Sequence, residues 1–406
     1  MKVLPLHNIV NKNKLFDTDS NGRTIYIYQL NNVSPIGESL FYPNVLLNET
    51  NSSSIFNPIN ETTMSLKSIE KEYGDMKPSI ITKVENDNMF FFVYNTDNYF
   101  HFVYDTLPYL ITYKELLKSD PNIKLLMNYP NSGKKEHYKF VMEFLAILDI
   151  DLSNIKIIDK NTEYNSVLIS TSYTHDFNSN LPPRQEIYSF YKEIVNKFKY
   201  SVYSVNTPKK IYISRRSWLH GDYSNIGTNY TTRRKMINED ALVDLLSKEG
   251  YIEVFTENMS TVEKIVMFSN AESVIGAIGG GLCNILFSKE TCKLIAIISP
   301  TFLEVNERFK FSFNNVNTLL FDNVNFVEET EFKTYMRVKV DNIIGEIIEI
   351  SYDELKISYS DQTIAGWNNE LKYMTKTVKK DNCIKLDNGL NSPWELNLEA
   401  FKNECL

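Results

Sequence analysis

The chain contains 406 residues, more than one hydrophobic core usually serves, so we predict two domains. Hydrophobic residues make up 43% of the chain and aromatic residues 13%, which excludes the disordered and fibrous classes. The formal net charge of −8 at pH 7 argues against a nucleic-acid polymer as a partner but is compatible with a local cationic pocket for a small anion.

The first half is predicted to alternate strands and helices after an irregular beginning. One strand is expected at 24–29, and the Asn- and Ser-rich stretch 48–63 is predicted to be a loop. The alternation that follows is typical of a parallel sheet covered by helices, with a kink before Pro108. The strands are expected at 89–95, 123–128, 154–159 and 166–171, and the helices at 98–118, 134–148 and 184–199.

The second half alternates more regularly and predicts a doubly wound unit, followed by a hairpin of 332–340 and 343–351. Asn238 is expected to cap a helix that ends at Gly250, and Ser260 to cap the next one. The strands are expected at 210–216, 251–255, 273–278 and 293–299, and the helices at 239–249, 261–271 and 282–287.

Neither the first residues nor the cysteines indicate export or membrane insertion. No apolar run approaches the ~18 residues of a membrane span, and the first residues lack a long apolar segment. The cysteines show no metal-ligand spacing and fit reduced thiols. We therefore expect a cytoplasmic protein without a transmembrane segment. The four cysteines are Cys283, Cys292, Cys383 and Cys405.

The stretch IGAIGGGLCN places Gly279, Gly280 and Gly281 between a predicted strand and a short helix. Backbone N–H groups at such a helix start attract phosphate, and the missing side chains allow close approach. Because ligands of doubly wound sheets bind beyond the carboxyl ends of strands, the turn is a candidate diphosphate cradle. A tight turn that needs glycine only for packing is an equally good interpretation, since the stretch does not match the G-x-G-x-x-G fingerprint or a P-loop.

Two arginine pairs flank this unit. Arg215 and Arg216 leave the carboxyl end of a predicted parallel strand, at the same edge as the glycines, and Arg233 and Arg234 precede the helix at 239–249. The forked donors of arginine chelate phosphate well, although a solvated surface role is the alternative for each one. Together the pairs predict at least one contact with an anion.

The segment DNYFHFVYDTLP offers a candidate general base. His101 and Asp105 are four residues apart on a predicted helix, so the two side chains face the same way. A carboxylate beside an imidazole fixes its tautomer and raises its basicity. A structural histidine on an aromatic helix is the alternative interpretation.

The sequence gives little support for a metal site. No two of the five histidines are three or four residues apart. The pairs Asp17/Asp19 and Asp149/Asp151 match an Asp-x-Asp pattern, but neither follows a clear buried strand. We interpret both as chance and expect no metal ligand.

Four blocks together resemble glycosyltransferase family 61. NYFHFVYDTLPYL resembles the family block N-Y-x-H-W-x-x-[DE]-x-L-P-x-L. The segments IYISRR, RRKMINED and GAIGGGLCN then resemble I-Y-I-S-R, R-[RK]-x-x-N-E and G-x-H-G-A-G-L-x-N, in the same order. The resemblance covers roughly residues 90–298. Three positions depart from the family pattern: Ile278 stands in place of His, Gly280 in place of Ala and Phe102 in place of Trp.

The resemblance implies a GT-B architecture, in which two Rossmann-like doubly wound domains face each other across a cleft, here followed by a partly β tail. It assigns 1–205 to an acceptor-side domain, 206–330 to a nucleotide-sugar-binding domain, and 331–406 to an extension that we expect to pack back on the N-terminal domain. It implies His101 and Asp105 as the catalytic pair. The residues it implies for nucleotide-sugar binding are Arg215, Arg216, Arg233, Arg234, Asn238, Glu239, Gly279, Gly280, Gly281 and Asn284.

From these residues we expect an inverting glycosyltransferase that needs no metal or other cofactor. It would move a sugar from a nucleotide diphosphate, commonly UDP, to a hydroxyl of a glycan or glycoconjugate. One alternative is a non-catalytic nucleotide-sugar- or glycan-binding homologue, which Ile278 favours. The other is a metal-dependent transferase of the GT-A type, which would use an Asp-x-Asp pair.

Overall fold

The computed structural model of the chain describes most of its residues. They are 9–39, 42–47, 54–57, 62–65, 81–93, 96, 98–130, 135–159, 161–174, 182–198, 207–216, 236–300, 307–313, 316–326, 331–332, 336–341, 343–359, 374–385 and 394–406.

The first ten strands form one mixed sheet. They are β1 (Ile9–Phe16), β2 (Ile25–Leu30), β3 (Val33–Ser39), β4 (Tyr42–Leu47), β5 (Ser54–Asn57), β6 (Thr62–Ser65), β7 (Lys83–Phe91), β8 (Lys124–Met127), β9 (Ile155–Ile157) and β10 (Thr162–Ser170). Their order is β6-β5-β4-β3-β10-β7-β8-β9, with β2 paired to both β1 and β10. Strands β10, β7, β8 and β9 run parallel, and the other pairs are antiparallel.

The loop predicted at 48–63 is wrong in its described part, which contains β5 and the start of β6. Both strands are four residues long and flanked by Asn and Ser, so they carry little local strand signal. They pair with β4 and with each other, and Phe56 packs edge-on against Tyr28 with 5.1 Å between ring centroids. Tertiary contacts therefore determine this region.

The helix predicted at 98–118 is interrupted before Pro108, as expected. It consists of α1 (Tyr99–His101), a π-helical turn (Phe102–Thr106) and α2 (Tyr109–Leu117). Pro108 has no N–H to donate within a helix, and the N–H of Leu107 reaches the carbonyl of Phe102, five residues back. The other helices of this half are α3 (Lys139–Ile147) and α4 (Glu186–Asn196).

The second sheet has five strands, all parallel. They are β11 (Lys210–Ile213), β12 (Ile252–Val254), β13 (Ser273–Ala277), β14 (Lys293–Ile297) and β15 (Asn317–Phe321), in the order β12-β11-β13-β14-β15. Between them lie α5 (Glu239–Lys248), α6 (Thr261–Asn270), a 3₁₀ helix (Gly280–Phe287) and α7 (Glu307–Ser312). Gly250 ends α5 with a φ of 81°, and a capping box between Ser260 and Glu263 starts α6, so both predicted boundaries are confirmed.

One hydrophobic core lies between the two sheets. Phe90 of β7 and Phe92, which directly follows that strand, share it with Ile211 and Ile213 of β11 and with residues of α2, α3, α4 and α6. The ring of Phe287 lies 6.1 Å from Phe144 and 5.5 Å from Tyr191, measured between centroids. The two halves therefore pack directly on each other through their helices.

The outer faces of the two sheets differ. The outer face of the second sheet is covered by α5 and by α8 (Leu398–Cys405), so this half is doubly wound as predicted. The outer core of the first sheet contains only its own strands and the residues beside them, among the described residues. The described part of the first half is therefore a mixed sheet with helices on one face, which departs from the expected pair of doubly wound domains.

The C-terminal region contains the predicted hairpin, β17 (Arg337–Val340) and β18 (Ile343–Ile350). The final segment packs on the second sheet rather than on the N-terminal domain, because Trp394 and Phe401 join the core beneath Tyr212 and Ile295. That expectation is therefore wrong for residues 394–406. The remaining strands are β16 (Val324–Phe326), β19 (Glu354–Tyr359), β20 (Met374–Lys379), β21 (Ile384–Lys385) and β22 (Trp394–Leu396).

Candidate active site at the carboxyl edge of the second sheet

The strand order of the second sheet predicts a ligand-binding crevice at its carboxyl edge. The chain leaves β11 toward β12 on one side, and it leaves β13 toward β14 on the other. Between such diverging connections, open α/β sheets bind their ligands. Arg215 follows β11 and the glycine turn, residues 279–281, follows β13, so both predicted elements lie at this crevice.

Two of the three glycines are needed for close packing. A Cβ on Gly279 would lie 2.6 Å from Nη1 of Arg215, and a Cβ on Gly281 would lie 2.7 Å from Oγ1 of Thr256. A Cβ on Gly280 would meet only the backbone nitrogen of Phe100, at 4.0 Å. The packing interpretation therefore applies to Gly279 and Gly281, while Gly280 borders open space beside α1.

Arg215 is held by a buried carboxylate. Oε1 of Glu239, which is 3% exposed, accepts hydrogen bonds from the Arg215 backbone N–H (2.7 Å), Tyr212 Oη (2.8 Å) and Ser214 Oγ (3.1 Å). Burial raises the pKa of Glu239, and these hydrogen bonds oppose the rise. Burial also lowers the pKa of Arg215, against the attraction of Glu239 and Glu257. Glu239 therefore positions the backbone of Arg215 through a direct hydrogen bond.

Arg216 faces away from the glycine turn. Its guanidinium forms a fork on Glu253, with Nε–Oε1 at 2.9 Å and Nη2–Oε2 at 2.6 Å, and it also contacts Asp240. These carboxylates raise its pKa. Of this pair, only Arg215 reaches the crevice. Arg233 and Arg234, predicted to bind the nucleotide sugar, lie outside the described residues.

Asn238 and Asn284 both form side-chain hydrogen bonds within the protein. We predicted that the Asn238 side chain caps α5, but it forms no such hydrogen bond. Instead, it exchanges two hydrogen bonds with the backbone of Leu396, at 2.8 and 3.0 Å. Asn284 is fully buried, accepts a hydrogen bond from Tyr99 Oη at 2.6 Å and donates one to the Gly281 carbonyl at 2.8 Å. It therefore joins α1 to the glycine turn.

His101 and Asp105 form the predicted pair. His101 Nδ1 lies 2.8 Å from Asp105 Oδ2, and Thr174 Oγ1 donates to Asp105 Oδ1 at 2.8 Å. Asp105 is fully buried, whereas 19% of the His101 side chain is exposed. Because a carboxylate only accepts hydrogen bonds, Nδ1 carries the proton and Nε2 is the basic nitrogen of the neutral ring.

The first turn of α1 brings this pair to the glycine turn. The Phe100 backbone that approaches Gly280 directly precedes His101, and the Phe100 ring stacks on Phe309 of α7 at 3.9 Å between centroids. An imidazole base, an arginine and an open glycine backbone therefore border one crevice. Such a set can accept a proton and bind an anion.

Neither Thr174 nor Lys264 was predicted from the sequence as a residue of this region. Thr174 is 69 residues from Asp105, and only the fold joins them. Lys264 does carry a local signal, because it lies four residues before Phe268 on the buried face of α6.

Metal and membrane features are absent from the described part of the chain. It contains no group of three or more His, Cys, Asp or Glu side chains arranged to hold a metal ion. It also contains no helix with the length and apolar character of a membrane span.

Residues 99–295 match the model of the family described as Glycosyltransferase 61. The match begins at Tyr99 and includes the described site residues His101, Asp105, Arg215 and the glycine turn. The curated proteins include no match to this chain. On the family match and the four sequence blocks in this region, residues 99–295 of the chain belong to glycosyltransferase family 61.

Proposed function

We propose that the protein is an inverting glycosyltransferase that uses a nucleotide-diphosphate sugar, with UDP as the nucleotide, and glycosylates a hydroxyl of a glycan or glycoconjugate without a metal ion. The observation that carries the proposal is the meeting of Arg215, Gly280 and the His101–Asp105 pair at one crevice. Family membership supports sugar transfer in general.

The reaction is a direct displacement at the anomeric carbon. The acceptor oxygen forms a bond to that carbon while the bond to the diphosphate breaks and its electron pair leaves with the nucleotide. Nε2 of His101 takes the acceptor proton, and Asp105 holds the ring and stabilises the imidazolium. A base of this kind contributes about 10²–10⁴-fold to rate.

The cationic side of the crevice stabilises the leaving group. Arg215 is desolvated, and its backbone is fixed by the hydrogen bond to Glu239. Its charge therefore interacts strongly with an anion. The Gly280 and Gly281 amides open the 3₁₀ helix, where backbone N–H groups face a ligand. In the absence of a metal ion, this set carries the charge that develops on the diphosphate.

The position of the missing family histidine supports His101 as the base. Ile278 is 5% exposed, belongs to the core between the sheets, and donates its backbone N–H to Ile297. An apolar side chain in that place cannot move a proton. The same observation supports the second candidate, a homologue that binds nucleotide sugars without turning them over.

The two Asp-x-Asp pairs do not favour the GT-A alternative. Asp17 pairs with Lys14 and Asp149 with Lys197. The Asp19 carboxylate accepts hydrogen bonds from the backbone N–H groups of Asn21, Arg23 and Gln185. The Asp151 carboxylate accepts one from the backbone N–H of Ser153. Each carboxylate thus already has a structural partner.

Thermal-shift titrations with UDP, GDP and CMP, followed by transfer assays with UDP-sugars in EDTA, test the proposal. A ligand at 100 times its Kd stabilises a fold by about 2.7 kcal/mol, which is readily visible. We expect stabilisation by UDP and turnover that persists in EDTA. Binding without turnover would support the non-catalytic homologue, and turnover that EDTA abolishes would support a metal-dependent transferase.

A further inference from the structure

Lys264 is a buried cation that has no role in the reaction proposed above. It lies in the first turn of α6, and only 6% of its surface is exposed. Because α6 follows β12, this turn lies at the carboxyl edge of the second sheet, where Arg215 and the glycine turn also lie. Lysine is almost never buried without a partner, so its position calls for a reason.

The partner in the described structure is an aromatic ring. The Lys264 ammonium lies 4.3 Å from the centroid of the Tyr99 ring, and it forms no hydrogen bond or ion pair with any described residue. The nearby carboxylate of Glu143 instead accepts from the backbone N–H and Oγ1 of Thr261, at 2.9 and 2.6 Å. The attraction of the ring for the ammonium is smaller than the hydration energy that a buried ammonium loses.

Other titratable groups face this ammonium from three further elements. They are Glu143 and Lys139 of α3, Glu257 of the 3₁₀ turn Thr256–Asn258, and Cys283 beside the glycine turn. Glu257 also acts on Arg215, so one carboxylate serves both cations. Lys139 lies 3.7 Å from Glu143 and offsets part of its charge. Lys264 therefore faces carboxylates on two elements, Glu143 and Glu257, without forming an ion pair with either of them.

Lys264 is joined to the glycine turn through two side chains. Tyr99, under its ammonium, donates a hydrogen bond to Asn284, and Asn284 donates one to the Gly281 carbonyl. Thr256, next to Glu257, packs against Gly281. These contacts place Lys264 next to α1 and near the Gly281 end of the glycine turn.

We propose that Lys264 is the second cationic ligand of the donor diphosphate, acting together with Arg215. This assignment rests on the proposed function. Arg215 packs against Gly279 at one end of the glycine turn. Lys264 is joined to Gly281, at the other end, through the Tyr99–Asn284 contact. Two cations at the two ends of the turn match a ligand that carries two adjacent phosphates.

The protonation state of Lys264 makes the proposal measurable. Burial lowers its pKa to about 8, so the side chain is charged below that pH and loses its charge as the pH rises through it. A bound diphosphate favours the charged form and raises this pKa. Nucleotide binding near pH 8 should then take up a proton, and affinity should fall as the pH rises from 7 to 9.

Isothermal titration with UDP at pH 7, 8 and 9, in buffers of different ionisation enthalpy, tests the assignment. Wild-type protein should bind UDP about tenfold more weakly at pH 9 than at pH 7, with proton uptake near pH 8. Lys264→Met should weaken binding at pH 7 by about ten- to hundredfold and remove the pH dependence, as expected for a lost charged hydrogen bond. Lys264→Arg, charged throughout, should retain binding at pH 9.

Lys289→Met is the matched control, because Lys289 is exposed and precedes β14 at the opposite edge of the sheet. It should keep the wild-type affinity and pH profile. Thermal melting of each variant confirms the folded state. A Lys264→Met protein that binds UDP within about twofold of wild type, with the same pH profile, would overturn the assignment of Lys264 but not the proposed function. Wild-type protein that binds no nucleotide would overturn the proposed function with it.

Discussion

The crevice has two sides, and they are built differently. On the cationic side, Arg215 follows β11 and Glu239 begins α5, only 24 residues later in the chain. On the imidazole side, Asp105 is held by Thr174, 69 residues away, beside a mixed sheet. The two sides offer opposite chemistry, anion binding and proton acceptance. Variants of one side should therefore change nucleotide affinity, and variants of the other should change turnover.

The largest effect is expected on the imidazole side. His101→Ala should lower turnover by about 10²–10⁴-fold, because it removes the proposed general base and α1 offers no other. UDP affinity should stay within about twofold of wild type, since the cationic side is intact. Steady-state transfer kinetics and UDP titration on the same preparation measure both. A His101→Ala enzyme with wild-type turnover would assign the base elsewhere.

Arg215→Met should have the next largest effect, on affinity. Loss of a charged donor costs about 1.5–3 kcal/mol, or roughly ten- to hundredfold in UDP binding. Arg216→Met is the matched control, because Arg216 is the neighbouring residue but engages Glu253 and Asp240. It should bind UDP normally. Equal losses of affinity in both variants would contradict the separation of the two arginines.

Gly279→Ala should weaken UDP binding about fivefold, a cost of roughly 1 kcal/mol. Its Cβ would lie 2.6 Å from Nη1 of Arg215 and would push the guanidinium aside. The effect should disappear in an Arg215→Met background, so a double-mutant cycle by UDP titration measures it. Additive losses in the double variant would mean that the glycine acts on the nucleotide independently of Arg215.

Asn238→Ala should have the smallest effect, on stability alone. It removes two hydrogen bonds to Leu396, each worth about 1 kcal/mol, from the attachment of the C-terminal segment. Thermal melting should shift by a few degrees, about 2–4 °C per kcal/mol for a large domain, with UDP affinity unchanged. A loss of UDP affinity would restore Asn238 to the nucleotide site.

The same contrast explains what the sequence can predict. The helix boundaries beside the second sheet carry local signals, namely the glycine at 250 that ends α5 and the serine at 260 that caps α6, and both were predicted correctly. The His101–Asp105 contact follows from helical spacing and was also predicted. Strands β5 and β6 and the partner of Asp105 depend on distant pairing, so no local pattern contains them.

The direction in which a side chain points is the second feature of the site that composition and spacing do not predict. Arg215 and Arg216 are identical in type and adjacent, yet only the first reaches the glycine turn. The difference arises from Glu253 on β12 and Asp240 on α5, which attract the second. Asn238 likewise bonds to β22 instead of capping its own helix.

A crystal structure of the protein with bound UDP is the sharpest test of the proposed site. We expect diphosphate oxygens within hydrogen-bonding distance of the Arg215 guanidinium and the Gly280 amide, with His101 bordering the same cavity. UDP bound elsewhere, with Arg215 still packed on Gly279 and no phosphate beside it, would show that the proposed site is wrong.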